Sequence, residues 1–213
     1  MRIFVEIVLD ISILVVFIPT FFFVSITPGM CMTLAMSLGM SIGLKRTFAM
    51  MAGELVGVGI VALSSVIGVA AIMVNHPDVF TIFKYVGGTY LGYLGIQMWL
   101  NRGKMALSKT ECSVSISNRA LAFQGFITAI ANPKGWAFFI ALLPPFINKN
   151  YPLIPQISVL LFIILSLEFI CLILYASGGN TLRKFLQKSD NVKLMNRVAG
   201  TLMIGVGIWL AFG

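Results

Sequence analysis

Charge is scarce in this chain. Asp, Glu, Lys and Arg make up 10% of its 213 residues, whereas hydrophobic residues make up 59%; an ordinary soluble domain carries roughly 25% charged residues. So little charge cannot cover a water-soluble surface, and the composition is that of an integral membrane protein. At about 20 residues for each membrane-crossing helix, the apolar segments consume nearly the whole length. No soluble domain remains to house an enzyme.

Catalytic and metal-binding side chains are equally sparse. His76 is the single histidine, and it stands beside Pro77 in a short polar turn, without the convergent partners that catalysis or metal binding requires. The cysteines number 3: Cys31, Cys112 and Cys171, widely spaced and without a CxxC pair. Neither a disulfide framework nor a zinc site is indicated. With no H-E-x-x-H or G-x-S-x-G motif, no histidine in any span and no cofactor motif, the chain is expected to be neither an enzyme nor a metal or cofactor protein.

Acidic residues are outnumbered, 7 against 15 basic ones, for a net charge of +8. The basic residues lie between apolar segments rather than on one face, so they report membrane topology and not nucleic-acid binding. Apolar segments cover 11–44, 47–74, 79–100, 120–147, 153–176 and 198–212. The first begins inside a stretch with a signal-peptide flavour, but Glu6 and Asp10 interrupt its basic region and no small-residue cleavage site follows, so it reads as an uncleaved span. Lys45 and Arg46 follow the first segment, Arg102, Lys104, Lys109 and Arg119 the third, and Arg183, Lys184, Lys188, Lys193 and Arg197 the fifth. Arg2, Lys84 and Lys149 lie on the opposite side. Basic loops face the cytoplasm, which places both termini outside it.

These segments predict an all-α membrane protein with six transmembrane helices in a single domain over 1–213. A polar stretch at 101–119 divides it into a three-helix half at 1–100 and another at 120–213, and is expected to be a cytoplasmic linker. Three spans per half force the halves into opposite orientations, an inverted repeat found in many transporters. Gly39 and Gly43, Gly53 and Gly57, and Gly88 and Gly92 have the spacing of close helix packing. Packing within one bundle, a face for a homodimer and a moving seam are the uses open to that spacing.

Helices 1 and 4 are predicted to be broken, at Pro28 and Pro133, each in the first span of its half. Proline has no N–H to donate and clashes with the preceding turn, so it frees carbonyls at a depth where lipid cannot satisfy them. Matching interruptions in two halves are a pointer to a transporter's binding site. The candidate residues at the breaks are Thr27, Pro28 and Gly29, and Asn132, Pro133 and Lys134. Thr27 and Asn132 have two available roles, binding substrate or re-satisfying the broken backbone.

Glu54, Lys134 and Glu168 lie inside apolar spans, where each charge costs about 3 kcal/mol or more, so each is a candidate functional residue. Lys134 is near mid-span, and the two glutamates are each about 10–12 Å from the cytoplasmic end at 1.5 Å per residue. That common depth rules them out as repeat mates but lets them approach one another. Low dielectric and a nearby ammonium act in opposite senses on a carboxyl, the balance that proton coupling needs. An ion pair or a neutral hydrogen-bonded acid is the structural alternative. An amino acid suits such a site, its carboxylate at a half-helix N-terminus beside Lys134 and its ammonium at a carboxylate such as Glu54.

Four motifs in order carry a resemblance: TPG at Thr27 to Gly29 after an aromatic run, GMSIGLKRTFAMMAGELVG from Gly39 to Gly57, YVGGTYLGYLGIQMW from Tyr85 to Trp99, and Asn132-Pro133-Lys134 followed by FFIALLPPF. Together they resemble the LysE/RhtB family of amino-acid exporters over nearly the whole chain. Met30 stands where the family's signature has a second proline, and Pro145 where glutamine is usual. The resemblance implies a bacterial inner-membrane secondary exporter, moving an amino acid or close derivative out of the cytoplasm by exchange for protons. Its expected partners are that small solute, protons and the lipid bilayer. The other reading is a metal-cation or other small-solute exporter of the same superfamily. Cation sites want clustered oxygen or sulfur ligands, however, and only two carboxylates lie at depth here.

Overall fold

The computed structural model describes residues 11–75, 77–100, 116–143, 146–147 and 151–212. His76, Cys112, Pro145, Lys149, the first ten residues with Arg2, Glu6 and Asp10, and most of the 101–119 linker lie outside them. All regular structure in the described residues is helical: α1 (Ile11–Ile26), α2 (Met30–Ile42), α3 (Leu44–Asn75), α4 (Pro77–Leu100), α5 (Asn118–Ile130), α6 (Pro133–Leu142), α7 (Leu153–Gln187) and α8 (Ser189–Phe212).

The first long apolar segment is divided where proline divides it. α1 stops at Ile26, and the axis bends by 57° before α2 begins. Gly29, extended at φ −144, is the N-cap of α2 and offers no side-chain cap. α2 ends at Gly43, whose φ of +80 is left-handed and needs glycine. At the second break Asn132 caps α6, its side chain accepting from the Lys134 N–H, with Pro133 in the first turn where a missing N–H costs nothing. A third proline, Pro19, lies inside α1 without ending it.

Residues 177–197, read from the sequence as a basic loop, are largely helical. α7 continues to Gln187 and α8 starts at Ser189, because this stretch still supplies an apolar residue every turn or so: Leu186 and Val192 are both buried. The sixth segment is accordingly a 24-residue helix rather than a short one.

Leu44–Gly68 within α3 and Leu153–Gly178 within α7 are each long and apolar enough to cross a membrane, and the bent α1–α2 pair counts as a third if it is one span. Large apolar side chains face outward, among them Phe162 at 74% and Leu100 at 74% exposure. That is a surface suited to lipid and unsuited to water.

Helix contacts are made backbone to backbone. A methyl on Gly53 would overlap the Ala122 carbonyl, and one on Gly125 the Met50 carbonyl, so α3 and α5 cross with nothing between them. Gly39 meets Ala176 on α7 in the same way. On α4 and α8 the approach is reciprocal: Gly88 with Gly207 and Gly95 with Gly200, each glycine's added Cβ falling 2.5–2.6 Å from the other's carbonyl oxygen. Most of the glycine spacing is thus used for packing inside the chain; Gly92 has open space beside it. Two buried apolar clusters result, one around Phe17, Phe21 and Phe146 and the other around Met36, Met50 and Tyr175.

Candidate functional site

At the seam of the two clusters lies a cavity of about 70 Å³, room for about five ordered waters or the polar end of a small solute. Thr27 and Gly29 from the first break, Asn132 and Lys134 from the second, Glu54 from α3 and Glu168 from α7 all line it. Six sequence candidates, spread from position 27 to 168, therefore meet at one place. Pro28 and Pro133 do not line it; they make the breaks that form its edges. The remaining wall is mostly apolar and includes Phe21, Val58, Phe138 and Phe139. Phe21 stands 5.7 Å from Phe138 and 6.0 Å from Phe139, ring centre to ring centre.

The charged groups are not paired into salt bridges. Among the described residues, the one ion pair is Lys193 with Asp190 at 3.1 Å, at the surface. Glu54 is fully buried, and neither of its carboxyl oxygens has a hydrogen-bond partner. Burying a charged carboxylate without partners costs several kcal/mol at least, of order 3–5 when a partner has been removed. The ionisable groups beside it on the cavity wall are Glu168 and Cys31, with which its carboxyl is in a position to share a proton. Glu168 shares the cavity wall with Ser25, Glu54 and Lys134. The glutamates do approach one another, as their common depth requires.

Lys134 reaches across the seam instead. Its ammonium donates to the Val24 carbonyl at 3.1 Å, the oxygen one helical turn before Pro28. Thr27 donates its hydroxyl to the Phe23 carbonyl at 2.6 Å, the back-bond of a threonine to the residue one turn earlier in its helix. Asn132 also serves the backbone, through Oδ1 to the Lys134 N–H at 3.2 Å, while its amide donates to the Cys31 sulfur at 3.8 Å. This last contact joins the two breaks directly.

Sequence reasoning overlooked several residues here. Ser25 and Cys31 line the cavity, and Trp136 and Tyr175 donate to carbonyls at the breaks, those of Ile130 at 2.9 Å and Ile26 at 2.7 Å. Tyr175 could have been found: it lies seven residues beyond Glu168, two turns along the same helix face. No cluster of three or more potential metal ligands occurs among the described residues.

The model of the LysE type translocator family matches residues 22–213, a stretch that contains both breaks and every cavity-lining residue except Phe21. The chain belongs to the LysE family. LysE members are translocators, so this is a multi-pass membrane transport protein for a small-molecule substrate and not an enzyme. Similar proteins in the LysE comparison include an uncharacterized membrane protein of Vibrio cholerae, 28% identical over 203 residues, 95% of this chain and 98% of that one. A homoserine/homoserine lactone efflux protein of Salmonella typhi is 27% identical over 190 residues, covering 88% and 90%. A leucine efflux protein of an Enterobacter species is 26% identical over 198 residues, covering 89% and 90%. No solved structure matches this LysE chain.

Proposed function

We propose that this protein exports an amino acid or close derivative from the cytoplasm in exchange for protons. The observation that carries the reading is Glu54, a fully buried carboxyl with two unpartnered oxygens on the wall of a cavity that also holds Lys134 and Glu168. A carboxylate so placed needs a positive partner. A proton and a substrate ammonium are alternative partners for the same oxygens, and two ligands that compete for one group are exchanged rather than carried together.

The anionic end of the substrate has its own place. α2 begins in the cavity wall with Gly29, Met30 and Cys31 and has no side-chain cap, so its first N–H groups and the positive end of its dipole are open to a carboxylate. Lys134 stands on the same wall. The N-terminus of α6, by contrast, is already filled by Asn132. Names of the Salmonella and Enterobacter relatives, with their homoserine and leucine efflux, agree with an α-amino acid whose side chain lies against Phe21, Phe138 and Phe139.

In this reading α1–α2 and α5–α6 are the broken first spans of two inverted halves, giving six crossings of a bacterial inner membrane with both termini outside the cytoplasm. Reporter fusions at each terminus test that topology. The exchange itself is tested in inverted membrane vesicles with an imposed pH gradient. Glu54→Gln abolishes proton-dependent flux of leucine or homoserine while protein remains in the membrane; unchanged flux in that variant removes Glu54 from the mechanism and the reading with it.

A further inference from the structure

The two breaks are finished differently. At the second, the caps are local: Asn132 accepts from the Lys134 N–H, and the Trp136 indole donates to the Ile130 carbonyl six residues back. At the first, Thr27 serves Phe23 locally, but the carbonyls of Val24 and Ile26 are taken by residues 110 and 149 positions away, Lys134 on α6 and Tyr175 on α7. The first break is therefore held by elements that are not part of it.

The Ile26 carbonyl decides what that means. In a continuous helix it would accept from the N–H of Met30, four residues on. Here Met30 opens α2, the axis has turned by 57°, and the donor is instead the Tyr175 hydroxyl, 2.7 Å away on a side chain that is 1% exposed. Straightening the joint would give the Ile26 carbonyl the Met30 N–H as its donor, so that the Tyr175 hydroxyl is no longer the group that satisfies it. Tyr175 therefore contributes more to the bent joint, where it supplies the donor that Ile26 lacks, than to a straight one. Lys134 makes no such distinction, since Pro28 leaves Val24 without its helical donor in either posture.

The geometry points to Tyr175 as a positioning residue that holds the α1–α2 joint bent, and to that joint as the hinge through which the cavity opens. Tyr175 also lies two turns beyond Glu168 on α7, so one helix supplies both a wall of the cavity, at Glu168, and the donor at the break, at Tyr175. This inference draws its purpose from the transport reading above; its test does not require a transported substrate.

Cys31 supplies the readout, because it lines the cavity and is 4% exposed. In a background with Cys112→Ser and Cys171→Ala, it is the single thiol. Its modification by N-ethylmaleimide is followed at 25 °C in proteoliposomes, beside thermal melting and flux of leucine and homoserine. Tyr175→Phe keeps the ring and removes the hydroxyl, and raises the modification rate about tenfold, the factor set by losing one buried hydrogen bond of ordinary strength. A merely structural role lowers the melting temperature and leaves the rate at 25 °C unchanged, and that result overturns the inference. Pro28→Ala gives Val24 its helical donor back, favours the straight joint and raises the rate likewise, which keeps the inference open to refutation if Tyr175→Phe does not fold. Faster labelling without flux of either solute leaves the hinge standing and sinks the substrate reading; flux with unchanged labelling does the reverse.

Discussion

Lys134 donates to the carbonyl of Val24 across 110 residues of sequence, and Val24 is the residue whose helical donor Pro28 removes. A defect written into the first half of the chain is repaired by a charge in the second. The two candidate features read separately from the sequence, a proline break and a buried lysine, are one interaction.

Replacing Lys134 by Met leaves that carbonyl unsatisfied and removes the cation from the cavity. An unsatisfied buried acceptor costs about 1–3 kcal/mol. The expected outcome is a lowered melting temperature in detergent together with loss of amino-acid flux, and a variant with wild-type melting and kinetics would show that the Lys134–Val24 contact contributes nothing.

Glu54→Gln acts in the opposite sense on stability. It replaces a buried carboxyl that makes no salt bridge by a neutral amide of the same shape, so the melting temperature is maintained or rises, by about 2–4 °C for each kcal/mol gained in a chain of this length. Activity is lost at the same time, the trade expected where a functional group is buried at the expense of stability. A clear fall in melting temperature would mean that Glu54 has stabilising partners after all.

Asn132 has a local job as the cap of α6. Asn132→Ala costs about 1 kcal/mol, whereas Asn132→Asp or Asn132→Ser retains most of the cap. Equal melting temperatures for the Ala and Ser variants would argue against capping and for a role in the cavity.

Gly53 and Gly125 are predicted to be the least replaceable glycines between α3 and α5, because each meets a backbone carbonyl. Gly53→Leu should prevent a monodisperse protein from being recovered, a larger effect than the roughly 1–3 kcal/mol of ordinary overpacking, since backbone cannot move aside as a side chain can. Gly92→Leu, with open space around it, is the control.

The helical content and the first break were legible because composition and proline act locally: 57° of bend follows from a missing N–H and a clash. Convergence of Thr27, Glu54, Asn132, Lys134 and Glu168 was legible only as a suspicion, since buried charges need company but a sequence does not say whose. Tyr175 and Trp136 escaped because each lies in an apolar run where an aromatic ring is unremarkable, and a hydroxyl or indole N–H acquires meaning only from the carbonyl opposite. The helix through 177–197 escaped because its basic residues resemble a cytoplasmic loop. The apolar side chains Leu186 and Val192, which fix it to the core, are too few to register against them.

α4 and α8 touch through Gly88 with Gly207 and Gly95 with Gly200, at two levels and without an intervening side chain. Sliding or rolling either helix would drive a carbonyl into the other's backbone, so this pair is a rivet. It joins Pro77–Leu100 to Ser189–Phe212, helices far apart in the sequence. With α4 and α8 fixed to each other, large motions of the chain fall on the remaining helices, where the α1–α2 and α5–α6 breaks already lie.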